Sequence, residues 1–311
     1  MNDRTRPLLA ITQGDPIGIG PEVTLAALAG GAADGVDVVV LGDRELLEAT
    51  ARRLSVPYAP RVLQAPDTGA RSALWALEEA CGLVRAGDAD AIVTAPIHKA
   101  DLVRVGFEFP GQTEFLGDRL GGADTTMLLA GPTLRVALVT THVRLADVPH
   151  AVTTERVAAT IRRLDTGLRT AYGIDRPRIA VLGLNPHAGE EGLFGPEDDE
   201  VIRPAVAACA AEGIACSGPL PGDGTFAPRA RAAFDAFVAM YHDQGLAALK
   251  AVDGGRAVNV TLGLPVLRTS PDHGTARDIA GRGIADPSSM AAAIRLAAAW
   301  ALRRRASKGA P

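Results

Sequence analysis

The chain has 311 residues, 47% of them hydrophobic and 22% charged, which is typical of a folded protein with one large or two ordinary domains. Its formal net charge is −4 and its longest basic run is only three arginines, which argues against nucleic-acid binding. Three cysteines without CxxC spacing argue against a disulfide framework or a thiolate zinc site, and no apolar run reaches the ~20 residues of a membrane span. We therefore expect a cytoplasmic protein that binds neither nucleic acid nor membranes.

Short β-rich runs and helical segments alternate along the chain, a pattern typical of an α/β fold with mainly parallel strands. The predicted elements in chain order are strand Leu8–Thr12, helix Pro21–Leu28, strand Val36–Leu41, helix Ala70–Arg85, strands Ala89–Thr94, Thr126–Ala130 and Leu134–Thr140, helix Thr153–Tyr172, strand Arg178–Leu184, helix Glu197–Glu212, strands Ala236–Tyr241 and Ala257–Leu262, and helix Ser288–Arg305. Because no Ser/Gly-rich linker divides the chain, we expect two interleaved domains, residues 1–120 with 270–311, and residues 121–269.

Three histidines, His142, His187 and His242, each follow an apolar strand. Ligands of open α/β sheets bind beyond the carboxyl ends of the strands. Three imidazoles there can hold one divalent metal and leave open positions for a substrate. Each histidine alone could simply cap its strand, but three in the same setting favour a metal site. His98 and His150 are interpreted as surface or structural residues.

Several charged residues lie near these histidines in sequence. Asp243 directly follows His242, and Asp223 stands between two glycines. A carboxylate beside a metal-bound histidine can orient a ligand or accept a proton, although Asp223 also fits an ordinary turn. Lys250 and Arg268 would suit a phosphate or carboxylate, with surface solvation as the alternative for Arg268. Lysine is rare in this chain, which favours a specific role for Lys250.

Two glycine-containing segments follow predicted strands. Residues 14–22 (Gly-Asp-Pro-Ile-Gly-Ile-Gly-Pro-Glu) open a helix but lack the third glycine of the dinucleotide fingerprint, so we interpret them as a tight turn near a cleft. In the second segment, Gly274 precedes a short helix expected to begin near Thr275. Its free backbone N–H groups could face a nucleotide, and an ordinary capped helix is the alternative.

Together these segments resemble the 4-hydroxythreonine-4-phosphate dehydrogenase family of pyridoxal phosphate biosynthesis. The resemblance runs in order over nearly the whole chain and is carried by Gly14–Glu22, Thr94-Ala-Pro-Ile-His-Lys99, Gly111-Gln-Thr-Glu114, Asn185-Pro-His-Ala-Gly-Glu190, Met240-Tyr-His-Asp-Gln-Gly245, Arg268-Thr-Ser-Pro-Asp-His-Gly-Thr-Ala276 and Ala280-Gly-Arg-Gly-Ile-Ala-Asp286. It implies two α/β domains flanking a cleft, similar to isocitrate and isopropylmalate dehydrogenases. It also implies a homodimer with an active site shared between subunits.

The resemblance assigns roles to individual residues. The implied metal ligands are His142, His187 and His242, one of them from the partner subunit. The implied substrate contacts are Gln112, Thr113, Lys250, Asn259 and Arg268, and the implied cofactor contacts are His273, Gly274, Thr275 and Asp278. Asp223 or Lys250 would act as the base. The implied cofactors are NAD or NADP and one divalent ion, which could be zinc, magnesium, cobalt or manganese.

The implied reaction oxidises 4-phosphooxy-L-threonine, a small phosphorylated hydroxy acid, and decarboxylates it to 3-amino-2-oxopropyl phosphate. A metal would make the substrate hydroxyl more acidic and stabilise the enolate formed when CO2 leaves. Four positions depart from the family pattern: Gln112 replaces a usual His, Gly222-Asp-Gly224 a usual Ala-Asp-Thr, Arg144 a small or cyclic residue, and His98 a usual Asn. These departures leave open a paralogue that oxidises D-threonate or D-erythronate 4-phosphate, or an aromatic cis-dihydrodiol carboxylate.

Two other function classes fit parts of the pattern. A metal-dependent hydrolase could use the three histidines to activate water. It would form product without NAD, and it leaves the segment 272–280 unexplained. A non-catalytic binding protein would bind phosphorylated ligands without turnover.

Overall fold

The computed structural model describes residues 5–58, 60–122 and 124–309, and within them it contains eleven strands. The strands are β1 Leu8–Thr12, β2 Asp37–Gly42, β3 Arg61–Gln64, β4 Ala91–Thr94, β5 Thr126–Ala130, β6 Arg135–Leu138, β7 Ile179–Leu182, β8 Cys216–Leu220, β9 Ala236–Ala239, β10 Val258–Leu262 and β11 Arg268–Pro271.

The helices of the same residues are α1 Gly20–Ala29, α2 Arg44–Leu54, α3 Gly69–Arg85, α4 Lys99–Val103, α5 Gln112–Leu120, α6 Val148–Ala151, α7 Thr154–Tyr172, α8 Arg203–Ala211, α9 Gly222–Thr225, α10 Pro228–Arg231, α11 His242–Asp253 and α12 Ser288–Gly309. A π-helical turn, Asp198–Ile202, leads directly into α8. Among these helices none combines the length and the apolar character that crossing a membrane would require.

The chain divides into two compact units, and their boundaries differ from the predicted ones. Unit 1 comprises Met1–Thr125 and Val258–Pro311, and unit 2 comprises Thr126–Ala257. The predicted ranges put Asn259 and Arg268 in the second domain, whereas the structure puts both in unit 1. The reason is that β10 and β11 pair with each other and β11 pairs with β4, which extends the sheet of unit 1.

Unit 1 contains strands in the order β3-β2-β1-β4-β11-β10. All of its pairings are parallel except that between β10 and β11. The central strand β1 is buried along its whole length, as its apolar sequence Leu-Leu-Ala-Ile-Thr predicts for a strand covered on both faces. Helices α3 and α12 pack against this sheet.

Unit 2 contains strands in the order β5-β6-β9-β7-β8. Only β5 and β6 pair antiparallel, so β6, β9, β7 and β8 all end at the same edge. The core of the unit packs around Phe237 and the apolar side chains of β6 and β7, with Leu246 and Leu249 of α11 covering it. The parallel order brings the segments that follow β6, β9 and β7 to one edge.

Ten of these strands and helices were not predicted from the sequence: strands β3, β8 and β11 and helices α2, α4, α5, α6, α9, α10 and α11. The strands are short and polar or interrupted, such as Arg-Thr-Ser-Pro in β11, and only pairing with neighbours makes them strands. The prediction of a short helix near Thr275 was wrong. Residues 277–281 form a turn in which the Ile279 N–H donates to Ala276 O, and Ala276 has a φ of 40°.

Candidate functional site

The three predicted metal ligands all follow strands of unit 2. His142 follows β6, His242 follows β9 and begins α11, and His187 follows β7. Because β9 lies between β6 and β7, the three segments emerge side by side. This is the edge at which open α/β sheets bind their ligands.

His142 and His242 lie next to each other, with ring centroids 5.9 Å apart. Backbone hydrogen bonds continue the ladder beyond the two strands, from Val139 N–H to Ala239 O at 2.9 Å and from Thr140 N–H to Met240 O at 3.1 Å. This extension carries the two imidazoles to one place. With metal–nitrogen bonds of about 2.1 Å, rings at this separation can bind one ion between them.

Asp243 contacts the ring of His242. Its Oδ1 lies 2.7 Å from His242 Nδ1, and the carboxylate is otherwise largely exposed. A carboxylate that accepts from Nδ1–H leaves Nε2 of the same ring unprotonated and available to a metal. The predicted orienting role of Asp243 thus has a matching contact.

His187 lies on the wall of a cavity of about 610 Å³ within unit 2. The lining residues are Leu184, Asn185, Pro186, His187, Gly222, Asp223, Phe226, Tyr241, Gln244, Ala247 and Ala248. The predicted base Asp223 therefore shares this cavity with His187, and its Oδ1 accepts the N–H of Gly224 at 2.7 Å. Lys250, the other predicted base, lies exposed on α11.

Gln244, which the sequence did not single out, connects two of the strand ends. Its Oε1 accepts the N–H of Met240 at 2.7 Å, and its Nε2 donates to Gly183 O at 2.6 Å. These bonds tie the end of β9 to the end of β7. The sequence signal that could have identified Gln244 was its position in the Met240–Gly245 motif, two residues after His242.

Within the described ranges, no three His, Cys, Asp or Glu side chains are gathered tightly enough to hold a metal ion.

In unit 1, Arg268 is a buried cation with neutral partners. Its guanidinium donates to Thr94 Oγ1 at 3.0 and 2.6 Å, to Thr261 Oγ1 at 3.1 Å, and to Gln112 Oε1 at 3.4 Å. Burial lowers the pKa of Arg268 to about 10, and the charge of Glu114 opposes this lowering. At neutral pH the group is still charged, so the site is electrostatically suited to an anion.

Other predicted substrate contacts surround Arg268. Gln112 and Thr113 form the first turn of α5, where helix N–H groups are available to an anion. Gln112 Nε2 also donates to Ala95 O at 3.3 Å, which fixes the amide beside Arg268. Asn259 lies on β10, one pleat from Thr261, and its buried Oδ1 has no hydrogen-bond partner among the residues that the structure describes. Thr94 and Thr261 belong to the same polar cluster and were missed from the sequence.

The predicted cofactor segment packs against the Gly14–Glu22 loop of unit 1. Thr275 O accepts the N–H of Ile19 at 2.9 Å, and a Cβ on Gly18 would lie 2.8 Å from that oxygen. Arg277, which the sequence did not single out, donates to Asp15 at 2.6 Å and Asp101 at 2.5 Å. The bond from Arg277 lowers the pKa of Asp101.

This packing supports the interpretation of residues 14–22 as a tight turn. Gly14 has a φ of 74°, and a Cβ there would lie 2.4 Å from Pro96 O. The glycines of the Gly14–Glu22 loop therefore let neighbouring backbone segments approach closely. Of the other predicted cofactor residues, His273 Nδ1 contacts Gly274 O at 3.0 Å, and Asp278 is exposed. His98, interpreted as a surface or structural residue, contacts Asp101 through its Nδ1 at 3.0 Å.

The family model described as "Pyridoxal phosphate biosynthetic protein PdxA" matches residues 36–297. The chain belongs to the PdxA family. A 4-hydroxythreonine-4-phosphate dehydrogenase from Erythrobacter litoralis is 44% identical, with 98% of this chain and 99% of the relative covered. This membership confirms the predicted family and the oxidoreductase class.

Solved structures agree. The 4-hydroxythreonine-4-phosphate dehydrogenase of Klebsiella pneumoniae has a TM-score of 0.84 and 37% identity, covering 96% of this chain and 99% of that one. A terephthalate 1,2-cis-dihydrodiol dehydrogenase of Burkholderia xenovorans has a TM-score of 0.69 and 30% identity, covering 94% and 98%. The isocitrate dehydrogenase of Methylococcus capsulatus, at 18% identity and a TM-score of 0.52 over 97% of this chain and 89% of that one, confirms the predicted fold class.

Proposed function

We propose that the protein oxidises 4-phosphooxy-L-threonine with NAD or NADP and decarboxylates it to 3-amino-2-oxopropyl phosphate, for pyridoxal 5'-phosphate biosynthesis. The observation that carries this proposal is the buried Arg268, whose hydrogen-bond partners among the described residues are neutral. A buried cation of this kind is balanced when a phosphate or carboxylate binds. The relative from Erythrobacter litoralis, at 44% identity, is named a 4-hydroxythreonine-4-phosphate dehydrogenase, an enzyme of the same reaction.

The substrate anion would be held by Arg268 and by the first turn of α5. Arg268 supplies donors in a fixed fork, and the N–H groups of Gln112 and Thr113 add the partial positive charge of the helix. Asn259 Oδ1, buried without a hydrogen-bond partner in the described part of the chain, would accept a hydrogen bond from a hydroxyl or ammonium group of the substrate. Such contacts would fix the substrate while its hydroxyl is oxidised.

His142, His187 and His242 would hold one divalent ion (zinc, magnesium, cobalt or manganese), with one of the three supplied by the partner subunit, since no three such side chains lie close enough together among the described residues of one chain. The 5.9 Å separation of two of the rings and the Asp243 contact support this assignment. When bound, such an ion acidifies a hydroxyl and stabilises an enolate. Asp223, in the same cavity as His187, would accept the hydroxyl proton, and Lys250 is the alternative base.

The nicotinamide cofactor would bind unit 1 along the segment that carries His273, Gly274, Thr275 and Asp278. Its attachment to the Gly14–Glu22 loop supports this placement, because Arg277 and the Thr275 carbonyl hold the segment before any ligand arrives. When bound, a nicotinamide cofactor would supply the hydride acceptor for the oxidation.

We also propose a homodimer that shares the metal site. Large apolar side chains are exposed in the segments just after His142 and His187: Leu145 is 70% exposed, Leu193 72% and Phe194 45%. Exposed apolar groups concentrated beside functional residues are typical of a protein interface. The proposed compartment is the cytoplasm, which the three unpaired thiols favour.

A paralogue that oxidises a cis-dihydrodiol carboxylate is the second candidate. It is supported by the 30% identity to a terephthalate dihydrodiol dehydrogenase and by Gln112, where the family usually has a histidine. D-threonate or D-erythronate 4-phosphate would be a further alternative. All of these candidate enzymes carry out the same redox chemistry, so only a test of their substrates distinguishes them.

The deciding experiment measures NADH formation by enzyme stripped with chelator and reloaded with one divalent metal at a time. Rapid turnover of 4-phosphooxy-L-threonine supports the proposal. Turnover of D-threonate 4-phosphate alone, or of a non-phosphorylated diol, contradicts the substrate assignment. Product formation without NAD would instead indicate a hydrolase.

A further inference from the structure

The loop that carries His187 has an unusual backbone. His187, Ala188, Glu190 and Glu191 have φ values of 53°, 54°, 43° and 55°, and the intervening Gly189 has 80°. Residues other than glycine adopt this left-handed region only at a cost, and consecutive examples are rare. Such a conformation persists when surrounding contacts determine it.

The buried side chain of Asp198 contacts the loop that carries His187. It is fully buried at the start of the π-helical turn that precedes α8. Its Oδ1 accepts the N–H of Leu184 at 2.9 Å, and its Oδ2 accepts the N–H of Asn185 at 3.0 Å. One carboxylate therefore holds two successive N–H groups just before His187, a charge-assisted arrangement.

Glycines make room for this carboxylate on both sides. A Cβ at Gly183 would lie 2.5 Å from Asp198 Oδ1, and a Cβ at Gly189 would lie 3.0 Å from Asp198 Cβ. The loop is thus wrapped around Asp198. A neighbouring carboxylate, Glu197, accepts from Asn185 Nδ2 at 2.8 Å and forms a second attachment of the same loop.

We propose that Asp198 and Glu197 are positioning residues that keep His187 in the orientation required of a metal ligand. This inference rests on the proposed metal site. Neither carboxylate ligates the ion; Asp198 acts through the backbone of residues 184 and 185, and Glu197 through the side chain of Asn185. Loss of groups that orient a ligand in this way lowers metal affinity by about 10- to 100-fold.

The test compares Asp198→Asn with the matched control Asp199→Asn. Asp199 is the next residue, and among the described residues its side chain pairs with Arg203, at 2.6 Å, rather than with the His187 loop. The readouts are the dissociation constants of Co²⁺ and Zn²⁺, from competition with a chromophoric chelator, and the visible absorption of bound Co²⁺. We expect Asp198→Asn to bind metal about 10- to 100-fold more weakly, with an altered Co²⁺ spectrum, and Asp199→Asn to match wild type.

A purely structural role would lower the melting temperature of the metal-free protein and leave the metal affinity unchanged, which would overturn the inference. An equal loss in Asp199→Asn would also overturn it. If Asp198→Asn does not fold, Glu197→Ala decides. Weaker metal binding by that variant supports positioning, and unchanged binding contradicts it.

His187→Ala separates this inference from the proposed function. If wild type binds no metal, or His187→Ala binds it as well as wild type, the metal site itself is wrong. If His187→Ala loses the metal while Asp198→Asn and Glu197→Ala retain full affinity, the site stands and only the positioning role fails.

Discussion

Arg268 donates two hydrogen bonds to the hydroxyl oxygen of Thr94, at 3.0 and 2.6 Å, although 174 positions separate the two residues in the chain. The pairing of β11 with β4 brings them together. A hydroxyl satisfies donors but does not neutralise charge. The guanidinium is therefore buried without a charged hydrogen-bond partner among the described residues, which has consequences for both stability and binding.

Replacement of Arg268 by Met should separate binding from stability. We expect the KM for the phosphorylated substrate to rise about 10- to 100-fold, the equivalent of one charge-assisted interaction. The melting temperature of the free protein should be maintained or rise, because burial holds the pKa of Arg268 at about 10 and so disfavours its charge in the folded state.

The pH dependence of this destabilisation follows from the lowered pKa of Arg268. The charged form is disfavoured by folding at every pH below about 10, so the destabilisation is fully present at pH 7 and declines only as the pH rises above about 10. Differential scanning fluorimetry with and without inorganic phosphate measures both effects. Arg71→Met, at an exposed position of α3, is the control. A large loss of stability with unchanged KM would contradict the anion site.

The substitution Gln112→Glu should inhibit the enzyme, because the new carboxylate would take the place of the substrate anion beside Arg268. The present amide oxygen lies 3.4 Å from Arg268 Nη2, so a carboxylate there would pair with the guanidinium and repel the substrate anion. We expect a KM at least about tenfold higher and a higher melting temperature. Asp118→Asn on the same helix, at an exposed position, should have a small effect. Unchanged substrate affinity in Gln112→Glu would place the anion elsewhere.

Arg277→Met should weaken cofactor binding selectively. Arg277 ties the segment 272–280 to Asp15 and Asp101, so its loss should raise the KM for NAD about tenfold with little change in kcat. Arg104→Met is a matched control, because Arg104 pairs with the other oxygen of Asp101 but is mostly exposed. Titration of NADH by fluorescence measures the affinity directly. Equal effects of both substitutions would indicate a general role of Asp101.

Asp223→Asn and Lys250→Met distinguish the two candidate bases. Asp223 lines the cavity that contains His187, so Asp223→Asn should lower kcat by about 10²- to 10⁴-fold. Lys250→Met should retain most of the wild-type kcat. The measurement is kcat with metal and NAD saturating. A near-normal kcat in Asp223→Asn, with a large loss in Lys250→Met, would reverse the assignment.

Much of unit 2 could be predicted because its strands are apolar and continuous. The strands before His187 and His242 are buried in full, and the strand before His142 is buried from Val136 onward; burial on both faces leaves a clear signal in the sequence. Once the strands are parallel, the residues that follow them must meet at one edge. Prediction of the histidine arrangement therefore needed only strand order and direction.

The remaining features depend on contacts between distant residues. β11 has a polar sequence and becomes a buried strand only by pairing with β4 and β10. Asp198 resembles any acidic residue near a helix start until its two bonds to the His187 loop are seen. Neither feature has a local signature, because each arises from groups far apart in the chain.

The amino-acid sequence by itself determined the α/β class, the PdxA family motifs and the identity of the candidate ligands, because periodicity, motif order and residue chemistry are local properties. The tertiary structure alone decided that Arg268 is a buried cation among hydroxyls, that His142 and His242 are neighbours, and that Arg277 ties the candidate cofactor segment to Asp15 and Asp101. Burial and pairing are properties of the assembled chain, since they depend on which strands lie side by side and on what covers them.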